Sequence, residues 1–536
     1  MKNRIIISIS VIFLLSIAIG AYLGANQMID SIYAYRSPIS AESPKPGPSI
    51  GKPQSEKVVF ILIDALRLDT STNVKVMPYL NQLLTSGAHA IMHSQTPSYS
   101  APGYSTIFTG AWPYMNDGPA FNLDYAEIPV WTQDNLFSAV HRNGITTGIA
   151  AYNWFEKLVP QQDVDLKFYT PGEDNLADES VVSAAIGWLE QPGNQFILVH
   201  IDQVDYAGHY EGGSQSQAWL DAANRADSLV ARIGSKLDLK KDTIIVLSDH
   251  GQIDPGGHGG HEPIVLVEPF IMAGKGIIPG EYPDIQMVDV APTISALLGA
   301  NIPSSSTGNV ITKMLNLPSE YVGLYQNSEI EIHNKIAEIY GKAINQPLQA
   351  GQSIESIRQN RLVKERSFRL PVTLLILILP PLILLLRKNK QLKYWLPGAL
   401  IAFLGFHLRY GIIDRKSYSF SAILTPEDLI IYCAITSSLA LLVGFIFILI
   451  FLRPKLNNRI DAAKFALGYV FTSLYLWVLP MGWNFILNGF TPTWTLPRLD
   501  AYFIGLLSMV ILIIVSITGL LITFIYSLLS RLLIKT

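Results

Sequence analysis

The chain of 536 residues contains a single cysteine, Cys433, which excludes an intrachain disulfide framework. That count says nothing about compartment, because an extracytoplasmic domain need not use disulfides. Charge is also scarce. Asp, Glu, Lys and Arg make up 15% of residues and the net charge is −3, so the chain lacks the basic excess that coats polyanions, and nucleic-acid binding is not expected. Apolar residues stand in place of charge: they reach 49%, mean hydropathy is +0.30, and the excess gathers at the two ends. A chain of this length implies two or three parts.

Residues 5–25 form an uncharged run behind Lys2 and Arg4, long enough to span a bilayer and longer than most signal-peptide cores. Leu23-Gly24-Ala25 is a passable cleavage site, but an uncleaved anchor over 1–25 is expected. Residues 26–55, rich in Ser, Pro and Gly, read as a flexible linker. Past Arg369 five apolar spans follow, near 370–386, 394–413, 429–452, 465–487 and 502–527, giving a membrane domain over 370–536. Basic clusters at Arg387, Lys388, Lys390 and Lys393, at Arg453, Lys455, Arg459 and Lys464, and at Arg531 and Lys535 alternate with less basic loops. The positive-inside rule then places both termini in the cytoplasm and 26–369 outside. His407, Arg409 and Asp414 fall near the outer end of the second of these spans, where they could meet a lipid head group. Interfacial snorkelling accounts for them more simply.

Between the apolar ends, residues 56–320 alternate short apolar runs with helical periodicity. Val58–Ile63, Thr147–Ala151, Phe196–Ile201, Thr243–Leu247 and Pro269–Ala273 read as strands. Thr132–Arg142, Asp178–Leu189, Gln215–Leu237 and Val288–Leu298 read as helices. The expected fold is α/β, a mostly parallel sheet sandwiched by helices. Residues 321–369, charged and amphipathic, are expected to form a two-helix connector back to the bilayer.

The chemistry concentrates in Ile244–His261, IIVLSDHGQIDPGGHGGH. Its apolar run has the character of a buried strand, and it ends in Asp249-His250, with His258 and His261 after a glycine-rich turn. A carboxylate and three imidazoles so close together suit a borderline-soft divalent metal such as zinc. The alternative, a polar turn with incidental histidines, sits poorly with four of ten histidines falling between 209 and 261. Asp64 follows the strand VVFILI, where an acid is costly unless paired or metal-bound. In Thr96–Gly110 a turn holding Pro97 and Pro102 leads into a helix-like segment whose N-terminal hydroxyls would favour a neighbouring anion. Asn122 could donate to a phosphoryl oxygen. Asp205-Tyr-Ala-Gly-His209 follows another strand, and both ligand types there could reach one metal, with Gly208 allowing a tight turn.

In order and spacing these fragments resemble the alkaline phosphatase superfamily, in particular type I phosphodiesterase/nucleotide pyrophosphatases and the ethanolamine-phosphate transferases of GPI-anchor synthesis. The similarity rests on Asp64, on P-x-x-S-x-P leading to Thr109-Gly110, on D-x-x-G-H at 205–209, on DHG…GxHG at 249–259, and on Gln286–Gly299 followed by Ile302-Pro303. The resemblance implies two metal ions, with zinc the expected identity. One would be held by Asp64, Asp249, His250 and the nucleophile hydroxyl, the other by Asp205, His209 and His258. The nucleophile matches Ser100, with Ser98 as fallback. Asn122 matches the phosphate-binding Asn, and His261 would be a supporting residue or a replacement ligand for His258. Sulfatases share the superfamily, but Ser100-Ala-Pro-Gly-Tyr104 lacks their Cys and Arg.

A serine hydroxyl becomes an accessible nucleophile beside a dication. The leading expectation is therefore a membrane-bound, two-metal phosphodiesterase-type hydrolase that passes through a phosphoseryl intermediate, with its catalytic domain facing outward. Its substrates would be phosphoesters, phospholipids or glycolipids. An ethanolamine-phosphate-type transferase to a membrane glycolipid is the enzymatic alternative. A non-catalytic transporter or structural membrane protein is the alternative of another class.

Overall fold

The computed structural model describes residues 2–40, 43–347, 351–423 and 425–533. Lys535 of the last basic cluster and residues 41–42 of the expected linker lie outside them. By its internal contacts the chain divides into two units, Tyr33–Arg361 with Thr493–Leu496, and the remainder.

The first unit is built on nine strands: β1 (Lys57–Ile63), β2 (Ala88–His93), β3 (Thr146–Tyr152), β4 (Leu166–Thr170), β5 (Gln195–Ile201), β6 (Thr243–Leu247), β7 (Val267–Gly274), β8 (Gly280–Glu281) and β9 (Ile285–Gln286). The sheet order is β4-β3-β5-β1-β6-β7-β2-β8, with β9 also pairing β2. From β4 to β6 all neighbours are parallel. β1 sits at the centre because it is apolar on both faces. Val59, Ile61 and Ile63 join a buried cluster with Val181, Val182, Leu229 and Val230, from helices Asn175–Leu189 and Gln217–Gly234. Phe60 stacks among Phe108 and Phe196, with ring centroids 5.3 and 6.3 Å away.

The strand read at Pro269–Ala273 lies within β7, which is antiparallel to both β6 and β2. β6 and β7 are joined by the loop 248–266, in which the 3₁₀ turn Pro263–Val265 is the one helical turn. With no helical crossover to return the chain to its starting end, the next strand must run back. β2 and β4 escape a search for continuous apolar runs because both alternate or are half exposed. The helix expected from Thr132 begins at Leu136, capped by Asn135, whose Oδ1 accepts from Ser138 N at 3.1 Å. The backbone N–H groups of Thr132 and Gln133 are already bound to the Asp117 carboxylate, which holds those residues in a loop.

The expected flexible linker over 26–55 is corrected. The first helix runs on to Tyr33, and the described residues after it pack along the sheet unit. The Tyr35 hydroxyl donates to Tyr114 O (2.9 Å), Ser304 Oγ to Pro44 O (2.6 Å), and Gly51 N to Gly299 O (3.0 Å). Ser, Pro and Gly composition here reflects an extended strap whose backbone groups are bonded to the unit. The connector differs too: after Ser319–Ala343, helix Ile354–Leu386 runs without a break through the expected boundary at 369, carrying Pro371, Pro380 and Pro381 inside it.

In the second unit, and among the described residues, six helices are long and apolar enough to cross a membrane: Arg4–Tyr33, Ile354–Leu386, Leu392–Ile413, Pro426–Leu452, Arg459–Asn488 and Leu499–Ser530. Side-chain hydroxyls tie them together, Tyr469 to Leu441 O and Tyr502 to Met28 O, both at 2.7 Å. At the Gly398–Gly444 crossing a Cβ built on either residue would lie within 2.9 Å of the other's carbonyl oxygen, so only glycine permits that approach.

Glu268 on β7 is fully buried, accepts from Ser94 Oγ at 2.6 Å and leaves Oε2 without a partner. Burial pushes its carboxyl well above the ordinary range, so it is protonated in the fold. The stability tied to that proton is complete below the ordinary carboxyl pKa of about 4.3 and is lost as pH rises toward and through the raised folded value. Glu268→Gln cannot lose a proton. Thermal midpoints of the full chain in detergent should move in the variant's favour between pH 5 and pH 9, whatever the offset at pH 5. Parallel pH curves would refute the protonated assignment.

Candidate active site

Three adjacent parallel strands, β5, β1 and β6, end side by side, and each hands the chain to an acid: Asp202, Asp64 and Asp249 after Ser248. All three are buried. Crevices beyond the carboxyl ends of such strands are where open α/β sheets carry their sites.

Asp64, Asp249 and His250 form one ligand group. His250 Nε2 is 3.4 Å from Asp64 Oδ1 and 3.4 Å from Asp249 Oδ2, and both of those carboxylate oxygens are buried without a hydrogen-bond partner. Ser100 Oγ is 3.2 Å from the same nitrogen. Ser100 opens helix Ser100–Thr109, where the dipole favours an anion. The helix closes at Gly110, left-handed with φ 69°. Asn122 is drawn in as well: its Oδ1 accepts from Ala101 N at 3.0 Å, next to Ser100.

The second ligand group is Asp205, His250 and His258, and His209, expected as its third member, lies beside it with Nε2 3.5 Å from Asp205 Oδ2. Helix Gln203–Tyr210 places Asp205 and His209 four residues apart on one face. His258 Nε2 lies 2.9 Å from His209 Nε2 and 3.6 Å from Asp205 Oδ1. Gly208, expected to turn the chain, is helical; a Cβ there would strike Gln252 Oε1, and Gln252 Nε2 donates to Asp205 Oδ1 at 2.6 Å. The His250 and His258 rings stack with centroids 4.0 Å apart, which joins the two groups.

Ser98 plays a different part from Ser100. Its Oγ donates to Gly260 O (3.0 Å) and accepts from Gly259 N (3.1 Å), and its carbonyl lies 3.1 Å from His258 Nδ1. The hydroxyl is committed to holding a loop, and the carbonyl orients His258. His261, expected as a ligand or support, is exposed and joins none of the ligand groups among the described residues. Gly259 and Gly260 bond to Ser98 and leave the next residue on the surface.

Both ligand groups fit divalent metals by donor chemistry. Burial pushes the His250 imidazole down to about 4 and, with His250 beside it, the His258 imidazole to about 3, so both rings are neutral ligands near pH 7. Burial alone would push Asp205 up; the His209, His258 and His250 imidazoles, where they carry a proton, draw the carboxyl below its ordinary value. Burial and the neighbouring Asp64 push Asp249 well above its ordinary value. A buried carboxylate held beside another acid calls for a cation, and the two unpartnered oxygens face the place for one.

Sequence reasoning missed His200, Asp202 and Tyr104. His200 and Asp202 form a further group with Asp64. The rule that found Asp64, an acid just past a buried strand, applies equally to Asp202 after β5. Nothing in the sequence marks Tyr104, which reaches Asp64 only through the packing of its helix.

Residues 58–311 match the family model described as type I phosphodiesterase / nucleotide pyrophosphatase. The chain is 27% identical over 304 residues to the human GPI ethanolamine phosphate transferase 2 catalytic subunit, covering 52% of this chain and 30% of that protein. It is 27% identical over 308 residues to GPI ethanolamine phosphate transferase 2 of Kluyveromyces lactis, covering 51% of this chain and 38% of that protein. The match thus takes in well under half the length of either relative. Among solved structures, human ectonucleotide pyrophosphatase/phosphodiesterase 5 aligns at 16% identity and TM-score 0.40, over 49% of this chain and 100% of that one.

If the two groups are cation sites, a divalent metal at a hundred times its dissociation constant should stabilise the sheet unit by about 2.7 kcal/mol for each site filled, read as a rise in thermal midpoint. Asp249→Asn and His258→Ala should each lose part of that rise while still folding. An unchanged midpoint on adding metal to the stripped wild type would rule the sites out.

Proposed function

We propose, from the premise that residues 58–311 form a type I phosphodiesterase/nucleotide pyrophosphatase domain of the alkaline phosphatase superfamily, that the protein is a membrane-bound phosphoryl-transfer enzyme using Ser100 as nucleophile. The observation that carries this reading is the Ser100 hydroxyl, set at a helix N-terminus 3.2 Å from His250 Nε2 and beside an unsatisfied ligand group. Asp64, Asp249 and His250 would hold one divalent ion, and Asp205, His209 and His258 a second, with zinc suited to both sets. When bound, such ions supply positive charge for the phosphoryl oxygens and lower the cost of ionising a hydroxyl.

The chain's own residues do the rest. Ser100 Oγ forms a bond to phosphorus as the bond to the leaving oxygen breaks, and the hydroxyl proton ends, through solvent, on the leaving alcohol. The helix N-terminus and the Asn122 amide favour the negative charge held there. An acceptor oxygen then attacks the phosphoseryl group and releases Ser100. Relatives named as GPI ethanolamine phosphate transferases, together with six bilayer-length helices, favour an alcohol on a membrane glycolipid as acceptor. The family model named for phosphodiesterases favours water. Basic residues Arg387, Lys388 and Lys390, then Arg453 and Lys455, fall in loops between helices, which supports a cytoplasmic side for those loops and an outer side for the sheet unit.

Ser100→Ala should abolish turnover and any covalent phosphoprotein, a loss of several orders of magnitude. Ser100→Thr should keep part of the activity, and Ser98→Ala should weaken it through His258 without removing the adduct. Mass spectrometry of protein trapped during turnover of a model phosphodiester, with and without a lipid alcohol, should find on Ser100 the phosphoryl group still carrying the substrate's retained alcohol. A lipid-linked product would identify a transferase and a free phosphomonoester a hydrolase. An adduct elsewhere, or full activity in Ser100→Ala, would overturn the assignment.

A further inference from the structure

Asp64 is asked to do two things at once. Its Oδ1 faces His250 and Asp249 with no hydrogen-bond partner. Its Oδ2 is turned the other way, into the body of the sheet unit, where the Tyr104 hydroxyl donates to it. His200 Nε2 lies 3.2 Å from the same oxygen and 2.9 Å from the Tyr104 hydroxyl. All three side chains are buried. With the tyrosine proton given to Asp64, His200 in its Nε2–H form donates into the same pair of oxygens.

We propose that Tyr104 and His200 are positioning residues that lock one oxygen of Asp64, so that the other alone is presented to the cation. The proposal rests on reading Asp64, Asp249 and His250 as a metal site. The physical reason is that a free carboxylate rotates and offers either oxygen or both. Two converging donors on Oδ2 fix the plane of the group and hold the presented oxygen in a single orientation before any ion arrives. The donors come from separate elements, Tyr104 from the helix that Ser100 opens and His200 from β5. The Tyr104 ring is wedged against Phe155, centroids 4.6 Å apart, and against His200 at 5.4 Å. The lock therefore ties the nucleophile's helix to the strand-end carboxylate on the far side of the ligand group.

Asp64 and His200, with Asp202, also have donor atoms close enough to hold an ion. The geometry favours the lock, because the Tyr104 hydroxyl already satisfies both Asp64 Oδ2 and His200 Nε2.

The test is a zinc titration of the full chain in detergent, stripped of metal and competed against a chelating dye. Wild-type protein should bind two equivalents. Tyr104→Phe keeps the ring and removes one hydroxyl. It should weaken one of the two binding steps by about tenfold to a hundredfold, leave the other unchanged, and leave the melting temperature of the stripped protein near wild type. His200→Gln, which retains a side-chain N–H, should weaken the same step less than His200→Ala does. Two wild-type steps that are untouched in Tyr104→Phe would overturn the lock while the metal-site reading stands. A third wild-type equivalent lost in Asp202→Asn would make this group a cation site and overturn the lock as well. A wild type that binds no zinc would overturn both readings together.

Discussion

The burial of carboxyl groups at the ends of three neighbouring strands is the constraint around which the sheet unit is arranged. Parallel pairing of β5, β1 and β6 forces their carboxyl ends to one edge, and Asp202, Asp64 and Asp249 stand there out of water. No packing of apolar residues stabilises such a group. It persists because the His250 and His258 imidazoles from the loop after β6, His209 from the helix Gln203–Tyr210, and backbone and side-chain donors all converge on it. The neutral state of the buried rings, the inward turn of Asp64 and the placing of Ser100 at a helix start are answers to the same electrostatic requirement.

Much of this was legible from residues alone. The apolar runs that became β1, β5 and β6 carry the period and length of doubly buried strands, and Asp64 and Asp249 announce themselves as acids after such runs. Ser100, Asn122, Asp205, His209, His250 and His258 are all brought together. The failures have physical causes. β2 and β4 are half exposed and alternate, so their hydrophobic signal is diluted. His261 looked equivalent to His258 in composition, yet a ligand is chosen by loop geometry, and the pair Gly259-Gly260 is tied to Ser98 before His261 is reached. Tyr104 is silent in sequence because its partner lies 40 residues away and the contact exists only once the helix has docked.

The described membrane helices show a comparable division. Their number followed from apolar length, since nothing else in a chain needs runs of that extent. Their boundaries did not, because charge and proline are poor stops inside a long helix: Ile354–Leu386 carries a polar half, an apolar half and three prolines as one element. The segment Thr493–Leu496, between the last two of these helices, belongs by its contacts to the sheet unit. There Thr495 Oγ1 accepts from Arg358 Nε at 2.9 Å and the Arg361 guanidinium covers Trp494 at 4.3 Å. Such long-range pairing has no local signature.

The two-residue interval from Ser98 to Ser100 acts as a ruler. One end is pinned by its hydroxyl to the 259–260 backbone and steadies His258 through its carbonyl, while the other end carries the Ser100 hydroxyl, 3.2 Å from His250 Nε2. The offset of the Ser100 hydroxyl from the loop that carries His258 is thus limited by covalent geometry to about 7 Å of extended chain. A single inserted or deleted residue within that interval would alter reach and direction together. Variation in this enzyme's substrate preference is therefore expected to arise in the walls around the ruler, with its length held constant.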